Sequence, residues 1–286
     1  MPVVAVVNRK GGSGKSTLAT HLAAYCAHAG LAVMLGDVDQ QQSARTWLRL
    51  RQPSAQRGPG AISGWTVDAR NVFRAPHGTT HVILDTPGGM RGLDLARIVM
   101  SADVILMPVC NSVFDRDSAA QCIAELQAQP HLASGRCVLA TIGMRLNASV
   151  AGRHKLQTWA RDLRVPMIGM LRDCADYVAW SELGQTLFDQ PAEAVQADLA
   201  EWTPILDWLA PAIQIPLATV RFDDNVRPIR PVRAASPTLK LVSASPSAHE
   251  PPVVDDELPP GAPRKASGLR SVLGTLQIPR FLRRVT

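Results

Sequence analysis

The sequence predicts an α/β protein: a doubly wound, mostly parallel sheet, followed by a disordered C-terminal tail. Three observations predict it. Short apolar runs alternate with helix-like stretches through roughly the first 210 residues, the second and third of those runs close on aspartate, and the first leads straight into a glycine-rich turn. Strands that alternate with helices build parallel β-α-β units.

Residues 3–7, V-V-A-V-V, form a continuous apolar run, the pattern of a strand buried on both faces. After the glycine turn, residues 16–28 have helical composition and stop at Gly30, a residue suited to a helix C-terminus. Residues 32–36 and 81–84 read as the next strands, closing on Asp37 and Asp85. Further strands are expected at 104–108 and 137–142, with another short one inside 165–171. Helices are expected near 92–101, 115–128, 149–163, 174–183 and 191–209. No internal repeat is visible.

Composition changes near Pro211, which divides the chain into a body at 1–211, a Pro-rich disordered linker at 212–267 and a basic amphipathic segment at 268–286. From residue 216 onward, 11 of 71 residues are proline, and such a stretch buries too little apolar surface to offset its conformational entropy. The last segment sets Leu269, Val272, Leu273 and Leu276 at helical spacing among arginines, with Pro279 interrupting any helix.

Charge follows the same division. Residues 1–215 hold 19 Lys/Arg against 18 Asp/Glu, whereas residues 216–286 hold 11 against 6, so the net charge of +6 resides mainly in the tail. Five cysteines at irregular spacing, without a C-x-x-C pair, argue against a zinc site or a disulfide framework. The N-terminus lacks the form of a signal peptide, and no apolar stretch is long enough to span a membrane. A cytoplasmic protein is the expectation.

The chemistry concentrates in the turn after the first strand, R-K-G-G-S-G-K-S-T from Arg9 to Thr17. Gly11, Gly12 and Gly14 let the backbone aim successive N–H groups at phosphate oxygens. Lys15 brings positive charge to the β- and γ-phosphates, Ser16 offers a hydroxyl to Mg²⁺, and the following helix dipole favours an anion. Strict G-x-x-x-x-G-K-[ST] spacing would put glycine where Arg9 stands, so the loop is a variant form. Asp37 and Asp39 after the second strand meet the need for carboxylates near the γ-phosphate and the magnesium shell. Asp85 ends the third strand, where it can reach Mg²⁺ through water, and Gly88 in the next turn can turn an N–H to the γ-phosphate.

Lys10 to Ser16 resembles the K-G-G-x-x-K-[ST] loop of the deviant Walker A P-loop ATPases, the ParA/MinD family. Asp37–Trp47 looks like the D-x-D-P-Q-x-S-x-x-x-W run of small plasmid-type ParA (ParF-like) partition proteins, with Gln40 in place of proline. Residues 102–119 resemble the segment that follows Walker B in the same proteins, and vaguer likeness continues to about residue 209. The resemblance implies a P-loop ATPase using ATP and Mg²⁺, with Lys10, Lys15 and Asp39 catalytic. It implies nucleotide contacts from Lys10, Gly11, Gly12, Ser13, Gly14, Lys15, Ser16, Thr17 and Gly88, and metal contacts from Ser16, Asp37 and Asp85. Lys10 would cross the interface of an ATP-sandwich homodimer, and Asp39 would orient the attacking water. The implied activity is slow hydrolysis stimulated by a ParB-like or other adaptor, with the dimer on non-specific DNA of the nucleoid positioning a plasmid, a chromosome or a large protein assembly.

Arg145, Arg153, Lys155, Arg161 and Arg164 are candidates for phosphate-neutralising contacts with DNA, and equally suit a solvated helix face. Residues 268–286 suit an anionic membrane, as in a MinD-like positioner, or a partner protein or DNA. An accessory ATPase of a polysaccharide-synthase system is a further alternative. The cysteines lack the pattern of a nitrogenase-type iron protein, and a bacterial tyrosine kinase relative, which would carry a C-terminal tyrosine cluster, fits less well with a tail that has no tyrosine.

Overall fold

A computed structural model of the chain describes residues 1–39, 41–51, 61–66, 75, 77–147 and 149–214. The expectations for the linker beyond residue 214, for the segment at 268–286 and for Gln40 lie outside these residues.

Seven strands form one sheet in the order β3-β2-β4-β1-β5-β6-β7, with every pair parallel. In chain order these are β1 (Val3–Val6), β2 (Val33–Asp37), β3 (Ile62–Thr66), β4 (His81–Asp85), β5 (Val104–Cys110), β6 (Val138–Leu146) and β7 (Met167–Arg172). The helices are α1 (Lys15–His28), α2 (Ser43–Leu50), α3 (Gly92–Ser101), α4 (Val113–Gln127), α5 (Pro130–Ala133), α6 (Val150–Asp162), α7 (Asp176–Glu182) and α8 (Gln196–Ala212).

Alternation along the buried strands divides the core between the two faces of the sheet. Val4, Val6, Leu35, Ile83 and Leu106 pack with α1, α2 and α8, while Ala5, Met34, Leu84, Ile105 and Met107 pack with α3, α4 and α6. This is the doubly wound arrangement that the apolar runs predict. The switch point falls at β1, which pairs with β4 on one side and β5 on the other. A crevice opens there at the carboxyl ends of the strands, the usual ligand position in such sheets.

Strand β3 and helices α2 and α5 are not among the elements expected from the sequence, and α8 starts later than expected. The edge strand β3, I-S-G-W-T, carries a glycine at its centre, which weakens any propensity signal. Helix α2 begins inside the Asp37–Trp47 motif and runs three residues past it, and its core face is Ala44, Trp47 and Leu48 at i, i+3, i+4 spacing. Helix α8 begins later than residue 191 because a 3₁₀ turn at Ala192–Ala194 follows Pro191. Its end is tied down where His81 Nε2 meets the Ile213 carbonyl at 2.7 Å, at the amino end of β4 and so away from the glycine loop. All five cysteines are free, and no helix among the described residues is long and apolar enough to cross a membrane.

Candidate nucleotide site

The glycine loop runs from the buried end of β1 to the start of α1. Asn8, 2% exposed, sets its entry by donating from Nδ2 to the Pro108 carbonyl at 2.6 Å and accepting from the Lys10 N–H at 2.9 Å. Gly14 is the N-cap of α1 with φ 95°, a left-handed conformation that strains any residue with a side chain. No side chain caps α1 and no acidic residue lies in its first turn, so its leading N–H groups remain for an anion.

Lys15 is buried and folds back over the loop, donating to the Lys10 carbonyl at 3.2 Å. Burial lowers its pKa, and the nearby charges of Asp85 and Asp39 oppose that shift. Thr17 lies in the first turn of α1, and its carbonyl accepts from His21 Nδ1 at 2.8 Å. The Leu187 N–H donates to His21 Nε2 at 3.3 Å, which fixes the tautomer. That ring stacks on Trp202 with centroids 5.5 Å apart, and burial pushes its pKa down to about 4, so it stays neutral near pH 7.

Asp37 and Asp85 are register partners on adjacent strands, so both carboxylates emerge at one point beside β1. Their surroundings differ. Asp37 accepts from the Asp39 N–H at 3.1 Å and the Arg45 N–H at 2.9 Å, and thereby organises the turn into α2. Asp85 is 1% exposed, and neither carboxylate oxygen has a hydrogen-bond partner among the described residues. Burial pushes its pKa up to about 7 and the Asp37 charge adds to this, with the Ser16 hydroxyl and Lys15 acting in the opposite sense. A buried carboxylate without a partner, beside a serine hydroxyl, fits a divalent cation. Among the described residues no group of three or more His, Cys, Asp or Glu side chains converges on a metal-sized space. That sparse donor set suits Mg²⁺, which keeps waters and phosphate oxygens as its other ligands.

Asp39 is half-buried and accepts from the Gln41 N–H at 2.9 Å, which shapes the turn between β2 and α2. Gly88 packs against the loop: a Cβ there would lie 3.3 Å from the Arg9 carbonyl oxygen and 3.5 Å from Gly11 N. The adjacent Gly89 N–H donates to the same Arg9 carbonyl at 2.7 Å. Ser13 is buried with no partner for its hydroxyl among the described residues, and Gly11 and Gly12 are exposed, with Gly12 at φ 75°. The structure therefore gathers Lys10 to Thr17, Asp37, Asp39, Asp85 and Gly88 around one crevice.

Lys10 extends sideways from the loop mouth. Its ammonium lies 2.6 Å from Asp115 Oδ1 near the start of α4, and its side chain is 39% exposed. Ser112 caps that helix and also hydrogen-bonds Asp115. Two clefts flank α7 and meet at Thr17. One, of 420 Å³, is lined by Gly14, Met144, Arg145, Asp173 and Tyr177 among others, and the second, of 400 Å³, by Ser16, Thr20, Gln41, Thr46 and Trp47 among others. Of the candidate DNA contacts, Arg145 lines the first cleft and Arg153 pairs with Glu201 at 2.8 Å, while Lys155, Arg161 and Arg164 are exposed. Sequence reasoning missed Asn8 and the Lys10–Asp115 pair. A polar residue directly after a buried strand was the available signal for Asn8, whereas the pairing with Asp115 depends on the fold.

Residues 4–187 match the family model described as the CobQ/CobB/MinD/ParA nucleotide binding domain. Among curated proteins, the maintenance of carboxysome distribution protein A of Gloeobacter kilaueensis is 38% identical over 111 residues, 37% of this chain and 48% of that protein. Protein ParA of Rhizobium radiobacter is 30% identical over 123 residues, 42% of this chain and 54% of that protein. The chromosome-partitioning ATPase Soj of Thermus thermophilus is 47% identical over 55 residues, 19% of this chain and 21% of that protein. The first two matches span about half the length of the relatives concerned. Among solved structures, the MinD cell division protein of Aquifex aeolicus superposes with a TM-score of 0.55 at 18% identity, covering 72% of this chain and 97% of that one. A variant of Cyanothece McdA in complex with ATP superposes with the same TM-score, 0.55, at 13% identity, covering 76% and 97%. At these identities the solved structures establish the shared fold.

Proposed function

The chain belongs to the CobQ/CobB/MinD/ParA family of P-loop nucleotide-binding domains, and on that premise we propose that it is a ParA-like ATPase that dimerises on ATP and positions a cargo. The observation that carries this reading is the combination at one crevice of an uncapped α1, the buried Lys15 and the unpartnered carboxylate of Asp85. Relatives named for partition and for carboxysome distribution support the positioning role.

In this reading the loop N–H groups and Lys15 bind the phosphates of ATP, and the cleft beside Gly14 and Tyr177 receives the base. Ser16 and Asp85 hold Mg²⁺, with Asp37 in support through the loop that it organises. Magnesium, when bound, neutralises phosphate charge and orients the γ-phosphate. Asp39 orients the attacking water, and its place on a turn lets it approach when α2 moves. The Gly88 N–H donates toward the γ-phosphate. Lys10 leaves Asp115 and reaches the nucleotide of a second copy, which makes ATP a switch for assembly. Exposed cations such as Lys155, Arg161 and Arg164 supply salt-sensitive, sequence-independent attraction to DNA. Hydrolysis is slow and accelerated by an adaptor protein, which resets the switch at the nucleoid.

Light scattering on the full chain with ATP or ADP tests the reading. A dimer is expected with ATP alone, and Lys10→Ala should remain monomeric while still binding nucleotide. Asp39→Ala should dimerise but turn over about 100-fold more slowly, the scale of a lost general base. Equal mass in ATP and ADP would refute the switch.

A further inference from the structure

Arg9 stands where strict loop spacing would have glycine, and the nucleotide reading assigns it no role. Its backbone lies outside the left-handed region, so a side chain is tolerated there. That side chain points away from the phosphate crevice toward α4, where its guanidinium forms an ion pair with Glu125. The pair is largely shielded, with side-chain exposures of 12% for Arg9 and 27% for Glu125.

Glu125 has a second partner. Its other oxygen accepts the N–H of Gly92, the first residue of α3, at 3.0 Å. The segment 86–91 that joins β4 to α3 is therefore fixed at three places. Thr86 donates its hydroxyl to the Val6 carbonyl at 2.7 Å, the Gly89 N–H donates to the Arg9 carbonyl at 2.7 Å, and Glu125 holds the far end at Gly92. Two of the three anchors run through residue 9, one from its backbone and one from its side chain. Gly88 lies between the anchors at Thr86 and Gly89, close enough to the loop that an added Cβ would press on the Arg9 carbonyl.

We propose that Arg9 and Glu125 form a brace that sets segment 86–91 against the phosphate loop, making Glu125 a positioning residue for the Gly88 N–H and hence for discrimination of ATP from ADP. The proposal rests on the nucleotide reading given above. It predicts that the brace matters for the γ-phosphate, which Gly88 faces, and not for the α- and β-phosphates, which the loop itself holds. A shielded, charge-assisted network of this kind is worth about a tenfold change in an equilibrium when cut.

The test compares the full chain with Glu125→Ala, Glu125→Gln and Arg9→Lys. ATP and ADP affinities are measured by calorimetry, and amide hydrogen exchange is measured on the nucleotide-free proteins. Glu125→Ala should lose about tenfold in ATP affinity with ADP affinity changed less than about twofold, and exchange should accelerate at Gly89 and Gly92. Glu125→Gln keeps an acceptor for Gly92 and removes only the ion pair, so an intermediate ATP loss is expected. Arg9→Lys keeps the charge and should retain most of the preference. Equal losses for ATP and ADP in Glu125→Ala, or an unchanged ratio, would overturn the brace. Where Glu125→Ala does not fold, Glu125→Gln carries the same comparison. A wild-type chain that binds no ATP would refute the nucleotide reading instead, and the exchange rates at Gly89 and Gly92 would still judge the brace.

Discussion

Gly88 has no side chain to contribute, yet its position is among the most constrained at the site. An alanine Cβ would sit 3.3 Å from the Arg9 carbonyl oxygen, a backbone atom that cannot rotate away. Gly88→Ala should cost about 1–3 kcal/mol by overpacking, read as a lower midpoint in urea unfolding, with ATP affinity falling alongside. An unchanged midpoint would mean that the two loops separate more easily than their hydrogen bonds imply. Lys10 to Thr17, Asp37, Asp39 and Asp85 were legible in the sequence because each lies in a short segment whose order along the chain is itself the signal. Asn8, Asp115 and Glu125 were not, since each acts through a neighbour that only the fold brings near. What sequence reasoning had no means to separate was Asp37 from Asp85. Both end apolar strands, but backbone N–H groups occupy one, whereas the other has no hydrogen-bond partner among the described residues.

Helix α2 carries the turn with Asp39 at its start, and its far end is clamped. Arg51 donates to both oxygens of Asp189 at 3.0 and 2.7 Å and to the Gly184 carbonyl at 3.1 Å, with its guanidinium 5.0 Å from the centre of the Trp47 ring. His28 reaches the same carboxylate at 2.9 Å. Burial alone would raise the Asp189 pKa, but the hydrogen bonds from His28 and Arg51 and the Arg51 charge outweigh it and hold the group below the usual carboxylate range. Asp189→Ala would remove the shielded carboxylate that Arg51 and His28 share, at a cost of about 3–5 kcal/mol near pH 7. Because the folded pKa is depressed, this stability is complete above the unfolded carboxylate range, near pH 4, and declines as pH falls below it. Unfolding midpoints of wild type and variant should therefore converge in acid, and a constant gap at all pH values would contradict the clamp. The apolar runs made the buried strands readable, whereas α2 and β3 were hidden, one inside a motif read for its chemistry and one by a central glycine.

At the scale of the molecule, the order β3-β2-β4-β1-β5-β6-β7 explains why the chemistry gathers where it does. Reversal of winding at β1 sets the glycine loop between the ends of β4 and β5, so Asp85, Asp37 and the segment 86–91 all converge on α1 without long connections. Adjacent residues Arg9 and Lys10 then reach Glu125 and Asp115, which lie about 15 Å apart along the same helix α4. The loop is thus coupled to its own fold through one side chain and exposes the other at its mouth. The fold class was legible because parallel β-α-β units impose it, while the site's internal division of labour emerges only once the strands are in register. In the proposed function, the buried carboxylate of Asp85 completes a magnesium–nucleotide site. Calorimetric titration of ATP with and without Mg²⁺, on wild type and on Asp85→Asn, measures it directly. Mg²⁺ should tighten ATP binding by the wild type at least about tenfold, and Asp85→Asn should abolish that enhancement while Mg²⁺-free binding persists. Full Mg²⁺ enhancement in Asp85→Asn would show that Asp85 does not help to hold the metal.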